Sequence, residues 1–296
     1  MPSHATTAKR RHPAPRRHRV ETRRPWWTSP WLLAGTVAAV AAVVAILLFV
    51  GTSTPRTSPG TKGSNLAPSS VVDAATNPDV AALAVVGVAG ESASFVDISK
   101  ASAALTRDSH PLVVFVSADY CPFCAARRWG LVVALSRFGT FSNLGLTSSS
   151  STDTDPNTSS FSFHGSSYSS SWISFDGVET ETSDGKPLDA PDAQVLGVLA
   201  KYDVPPYTSQ ADAIPFLDLG GRYLSIGAGF SPALLQGMSA EQIAKVIRDP
   251  HSPVGQAIMA DANAITAAVC TMTGDQPASV CAAAPIPQVI ATLEGR

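Results

Sequence analysis

Leu112 to Val116 is an unbroken run of apolar, mostly β-branched residues, the pattern of a strand buried on both faces. A short turn follows, then a stretch with helical apolar spacing that contains Trp129, Val132, Val133 and Leu135 and ends near Phe138-Gly139. Val71 to Val88 repeats the helical spacing through Val80, Leu83, Ala84 and Val88, and Ser94 to Ile98 fits a short strand. Thr147 to Ser171 is nearly all Ser, Thr, Asn and Asp, yet the alternation of Phe161 and Phe163 predicts a strand inside it. Trp172 to Val178 reads as a further strand, and Ala193 to Tyr202 as a helix with Val195, Leu196 and Leu199 on one stripe. Phe216–Leu219 and Tyr223–Ile226 form a hairpin around Gly220-Gly221-Arg222. Ser239 to Arg248 is an amphipathic helix, with Ser239 as cap and Gln242 in the capping-box position. Pro253 to Met272 is a helix with Val254, Ile258, Ile265 and Val269 on one face, ending at Gly274. Strands alternating with helices predict an α/β domain.

Ahead of that domain the pattern changes. Trp31 to Val50 holds twenty residues without a charge or a proline, and a helix of that length spans about 30 Å, the thickness of a bilayer's hydrocarbon layer. Residues 31–51 are therefore expected to form a transmembrane helix, with Trp26, Trp27 and Trp31 in the headgroup zone. The net charge of −2 conceals an asymmetry: residues 1–30 carry eight Lys or Arg against Glu21 alone, whereas the remainder has thirteen basic and twenty-two acidic residues. By the positive-inside rule residues 1–30 form a basic cytoplasmic tail, and everything beyond the helix is exported. The tail is explained as a topology signal beside anionic lipid, so no nucleic-acid partner is expected. Residues 52–70, rich in Ser, Thr, Pro and Gly, read as a flexible linker.

The chain has four cysteines, Cys121, Cys124, Cys270 and Cys281, all beyond the membrane run, which fits an oxidising compartment. Cys121 and Cys124 fall where the first helix begins, and the free amides and dipole of a helix's first turn favour a thiolate. A thiol of ordinary pKa is about 3% ionised at pH 7, whereas one lowered to roughly 6.5 is about 75% ionised. Cys121 is the expected nucleophile. Cys124, one turn on and deeper, is placed to attack the mixed disulfide and release the product. Cys270 and Cys281 are expected to form a structural disulfide that ties down a C-terminal helical extension, residues 251–296; its loop is worth about 2.8 kcal/mol by the chain-entropy estimate. Arg127, Arg128 and Arg137 fall on the other faces of the first helix; for Arg127 and Arg128 positive potential near the thiols is weighed against a solvated face, and the solvated face is preferred, while Asp119 on the turn reads as exposed.

Strand, turn, Cys-Pro-Phe-Cys and helix together resemble the thioredoxin superfamily. The segments Ala200 to Val204 and Ala213 to Gly221 look like that fold's helix end, proline loop and following hairpin, within a domain spanning residues 71–250. The resemblance implies that Pro215 is a cis-proline beside the disulfide and that Ile214 offers its backbone to an incoming peptide. The whole chain also resembles an uncharacterised group of membrane-anchored thioredoxin-like proteins, domain of unknown function 929. Tyr120 to Trp129, Tyr-Cys-Pro-Phe-Cys-Ala-Ala-x-Arg-Trp, and the pair within Val269 to Cys281 carry that likeness. The expected architecture is thus a thioredoxin-like α/β fold with a polar insertion and extra C-terminal helices, preceded by one transmembrane helix.

The function expected is that of a membrane-tethered, extracytoplasmic thiol-disulfide oxidoreductase acting on exported thiol or disulfide proteins or on a membrane redox partner, without cofactor or metal. Three features depart from thioredoxins. Phe115 stands where they carry a buried aspartate, Tyr120 where they carry tryptophan, and the gap before Ile214-Pro215 is about nine residues longer. Phe123 lacks the imidazole that strongly oxidising relatives place between the cysteines. The competing class is a non-catalytic binding or scaffolding module whose Cys121–Cys124 bond stiffens a turn. Zinc held by all four cysteines is disfavoured by the ten-residue gap in the second pair and by the exported location. No nucleotide loop, serine triad or spaced carboxylate pair is present.

Overall fold

The computed structural model describes residues 65–88 and 95–294. The basic tail, the run Trp31 to Val50 and most of the linker lie outside the described residues, among which no helix is long and apolar enough to cross a membrane. The last residues of the segment read as linker are described and structured. Leu66 bridges to Gly145, and the first helix, α1, starts at Ser69 and ends at Thr76.

A single helix over Val71 to Val88 is not what forms. Pro78 disfavours helical backbone at Asn77, so α1 stops at Thr76 and a second helix, α2 (Val80–Val86), starts afresh. Asp79 caps it by accepting hydrogen bonds from the Ala81 and Ala82 amides, which satisfies two of the free donors of its first turn.

The centre is β3, His110–Ser117, whose residues from Leu112 onward are all buried. It lies parallel to β8 (Ser174–Glu179) and antiparallel to β9 (Phe216–Leu219). The sheet continues outward through β10 (Tyr223–Ile226) to β1 (Val96–Asp97), and β2 (Thr106–Arg107) pairs with the start of β3. Strand alternation divides β3 between two cores. Val113 and Phe115 face a large cluster that includes Trp129, Leu131 and Ile265. Leu112, Val114 and Val116 face a smaller one with Val195, Val198 and Tyr202. Helices therefore cover both faces of a mixed sheet: α3 (Pro122–Leu135) and the later long helix on one, α4 (Ala193–Tyr202) on the other.

The polar stretch after α3 folds as two small antiparallel pairs. β4 (Gly139–Ser142) pairs with β7 (Ser167–Ser170), and β5 (Gly145–Ser148) with β6 (Ser159–Ser162). Its aromatics point inward. Phe161 packs on Trp129 at 4.6 Å between ring centroids, and Phe163 meets Phe115, Phe141 and Phe175. Ser-rich composition hides an aromatic seam that fixes this layer to α3 and the sheet.

Beyond the sheet come α5 (Ala240–Val246), with its Ser239–Gln242 capping box, and the 20-residue α6 (Pro253–Met272). Two short helices, α7 (Ala278–Cys281) and α8 (Ile286–Glu294), are the last among the described residues. Cys270, in the last turn of α6, is bonded to Cys281 in α7. Asn263 of α6 donates to the Leu83 and Gly87 carbonyls, closing the end of α2.

The hairpin turn between β9 and β10 holds a buried carboxylate. Gly220 and Gly221 both adopt positive φ, and Asp218 accepts a 2.6 Å hydrogen bond from the Gly221 amide. Burial pushes the Asp218 carboxyl up to about 6, against the effect of that amide. With a folded pKa above the unfolded one, the contribution is present at low pH and lost as pH rises through about 6. Asp218→Asn keeps the acceptor and cannot ionise. It is expected to be the more stable form at pH 7 to 8, with the difference from wild type vanishing toward pH 4, as read by urea unfolding across that range.

Candidate active site

Cys121 occupies the cap position of α3, with extended backbone, and Pro122 follows at the first helical position. Proline suits that place because its absent N–H would have had no helical partner. The Cys121 sulfur accepts a hydrogen bond from the Cys124 amide at 3.2 Å. Both cysteines are free thiols, but their surroundings differ. Cys121 keeps 6% of its surface exposed and Cys124 none, while Phe123 between them is 45% exposed.

That difference sets the protons. The Cys121 thiol is held below its ordinary value, chiefly by hydrogen bonding from the Cys124 thiol, with help from the Cys124 amide and the Arg128 charge and against the effect of burial. Burial, with the neighbouring Cys121 next, pushes the Cys124 thiol well up. Of the two, Cys121 is the more readily ionised and Cys124 the more firmly protonated.

Arg127 and Arg128 are not on a solvated face. Both are fully buried, as are all but one of the residues of α3, so the helix has no polar side on which to place them. Arg128 makes a two-pronged pair with Glu179 at the end of β8, with distances of 2.8 and 2.6 Å. It also donates to the Ala118 carbonyl at 2.8 Å, and that carbonyl receives the Cys121 amide. The guanidinium thus fixes the loop that delivers Cys121. Asp119 is buried too, where it was expected to be exposed; one oxygen lies 3.7 Å from Arg128 and has no hydrogen-bond partner. Burial raises the Asp119 carboxyl, with Arg128 opposing.

Ile214-Pro215 is joined by a cis peptide bond. Phe216 pairs with Val116, so the proline precedes β9 at the same end of the sheet from which the cysteine loop departs. Arg127 reinforces that proximity. Its Nε and Nη2 donate to the Gly227 carbonyl at 3.2 and 2.9 Å, and the Gly227 amide donates to the Pro215 carbonyl at 2.9 Å. Cys270 and Cys281 are bonded to each other at the far end of α6 and take no part in this cluster. Among the described residues, no three His, Cys, Asp or Glu side chains converge as metal ligands.

The insertion frames the other side. The Ser150 amide donates to the Tyr120 carbonyl, and the Asp119 amide to the Glu181 carbonyl, each at 2.8 Å. Between these segments lies an open groove of about 680 Å³ lined by Tyr120, Ser150, Thr152, Asp153, Glu181 and Ser183 among others. It adjoins Cys121 through Tyr120.

A family model described as Domain of unknown function (DUF929) matches residues 95–271, and the chain belongs to that family. No curated relative and no solved structure matches it.

Glu179 and Asp261 are the site residues that sequence reasoning missed, and Arg127 and Arg128, weighed as a charge near the thiols, were assigned to solvent instead. The signal was available in part: Asp261 is the only charged residue in α6, and a single charge in an apolar helix asks for a partner. Glu179→Ala, which leaves Arg128 buried with only the more distant Asp119 carboxylate near it, is expected to cost about 3–5 kcal/mol. Combining it with Arg128→Met should recover most of that loss in urea unfolding, because the orphaned charge is removed.

Proposed function

We propose that the chain is a thiol-disulfide oxidoreductase with a thioredoxin-like fold, in which Cys121 attacks and Cys124 resolves. The observation that carries this reading is the unequal environment of the two sulfurs: Cys121 at a helix cap, receiving the Cys124 amide, and Cys124 sealed beneath it. The Cys121 thiolate attacks one sulfur of a substrate disulfide, forming a mixed disulfide and expelling the other substrate sulfur as a thiolate that takes up a proton. Cys124 then loses its proton and attacks the Cys121 sulfur. The Cys121–Cys124 bond forms, the second substrate thiol leaves, and two electrons have passed from the protein to the substrate. The reverse sequence oxidises a substrate dithiol. Partner potential sets the direction.

A polypeptide substrate fits the surroundings better than a small thiol. The backbone of Ile214 beside Pro215 offers an edge for an extended segment, Phe123 presents an apolar contact, and the groove beside Tyr120 supplies hydroxyls and carboxylates. The charge asymmetry about Trp31 to Val50 supports a single-pass anchor with a cytoplasmic N-terminus and the redox domain outside. Partners are then exported proteins with exchangeable cysteines or a membrane redox protein.

The small exposure of Cys121 favours the scaffolding alternative, and trapping separates the two. Cys124→Ser in the full chain is expected to accumulate mixed disulfides through Cys121 that disappear on adding thiol reductant, and the further change Cys121→Ser should abolish them. Absence of any adduct from membranes, with Cys121 inert to alkylation at neutral pH, would leave the scaffold.

A further inference from the structure

Asp261 lies in the middle of α6, 134 residues after Arg127, and the two form a 2.6 Å ion pair from which solvent is excluded. The carboxylate sits in a slot made by two glycines. A Cβ at Gly130 would come within 2.2 Å of its Oδ2, and one at Gly229 within 1.9 Å of its Oδ1. Gly130 belongs to the cysteine helix, and Gly229 follows closely on Gly227, whose carbonyl Arg127 holds. Three separate segments therefore converge on one charge pair. Arg127 also donates to the Ser225 hydroxyl at 3.1 Å, so its remaining donors grip the end of β10.

We propose that Arg127 is a positioning residue for the dithiol. Asp261 is its tuning counter-ion, which makes the disulfide-tied helix Pro253–Met272 a working part of the redox site. The inference rests on the oxidoreductase reading and adds to it the means by which the cysteine pair is set. The fork of Arg127 locks the helix carrying Cys124 to Gly227 and, through the Gly227 amide, to Pro215. Arg127 follows Cys124 by three residues on α3, where such residues are neighbours on one face, so its positive charge lies near that sulfur, and Asp261 cancels part of it. Arg128 is the other cation facing the sulfurs, with Glu179 and Asp119 behind it.

Two substitutions pull the sulfurs in opposite directions. Asp261→Asn keeps the shape and an acceptor but leaves Arg127 uncancelled, so thiolate is favoured. Arg127→Met removes the cation, and Asp261, already pushed up to about 6 by burial, then takes a proton, so thiolate loses support. Each variant of the reduced full chain is titrated above pH 6 with iodoacetamide, and the alkylated Cys121 peptide is followed by mass. Asp261→Asn is expected to move half-maximal alkylation down by about half a pH unit, a roughly threefold faster reaction at fixed pH below the midpoint, and Arg127→Met up by a similar amount. Should Arg127→Met not fold, Arg127→Met with Asp261→Asn replaces the pair by neutral groups and supplies the upward arm. Lower stability with an unmoved midpoint, or shifts of the same sign, overturns the proposal and leaves a packing role. Trapping by Cys124→Ser reads the oxidoreductase function independently. A wild-type Cys121 that traps nothing and shows no alkylation below its ordinary range overturns both.

Discussion

A guanidinium taken out of water costs several kcal/mol unless an anion and hydrogen-bond acceptors meet it. The helix that follows Cys121 carries two, side by side and both buried. Much of the architecture follows from that demand. Arg128 is met by Glu179 from the end of β8, and Arg127 by Asp261 from a helix that is otherwise uncharged. One partner comes from the sheet and the other from the segment beyond it. The cysteine helix is thereby clamped between layers brought together from distant parts of the chain.

The same two arginines also hold the segments around the cysteines. Side chains buried to hold the helix also hold the Ala118 carbonyl, the Gly227 carbonyl and, through Gly227, the proline loop. In the central strand Phe115 packs on Phe163. Two carboxylates near the cysteine helix, Glu179 at the end of β8 and Asp261 on α6, each stand against an arginine. Asp119 is buried two residues before Cys121 with a free oxygen.

Local pattern carried much of the fold. The runs Leu112 to Val116, Ala193 to Tyr202, the Phe216–Ile226 hairpin and Pro253–Met272 are legible because each buries a face whose period is written in consecutive residues. Pro78 was legible as well, and the apolar spacing across it was the misleading signal. The arginines escaped because a charged residue between apolar ones reads as a solvated stripe, whereas α3 is enclosed on every side. Their anions lie 51 and 134 residues away, a separation on which neither helix nor strand period bears. The cysteine pair and its helix were visible, but the electrostatics around them were not. The insertion was obscured differently: serines dominate its composition, while the few aromatics that organise it are spread over several short strands.

The distance between Arg127 and Asp261 also orders events in time. A chain made from its N-terminus at about 5–20 residues per second exposes both cysteines well before Asp261 and Cys270 exist. During that interval Arg127 has no counter-charge, and the slot between Gly130 and Gly229 has nothing to fill it. The two cysteines can therefore reach their finished surroundings only when nearly all of the polypeptide has been made, so a prematurely truncated product would carry them without Asp261 and the helix that holds it.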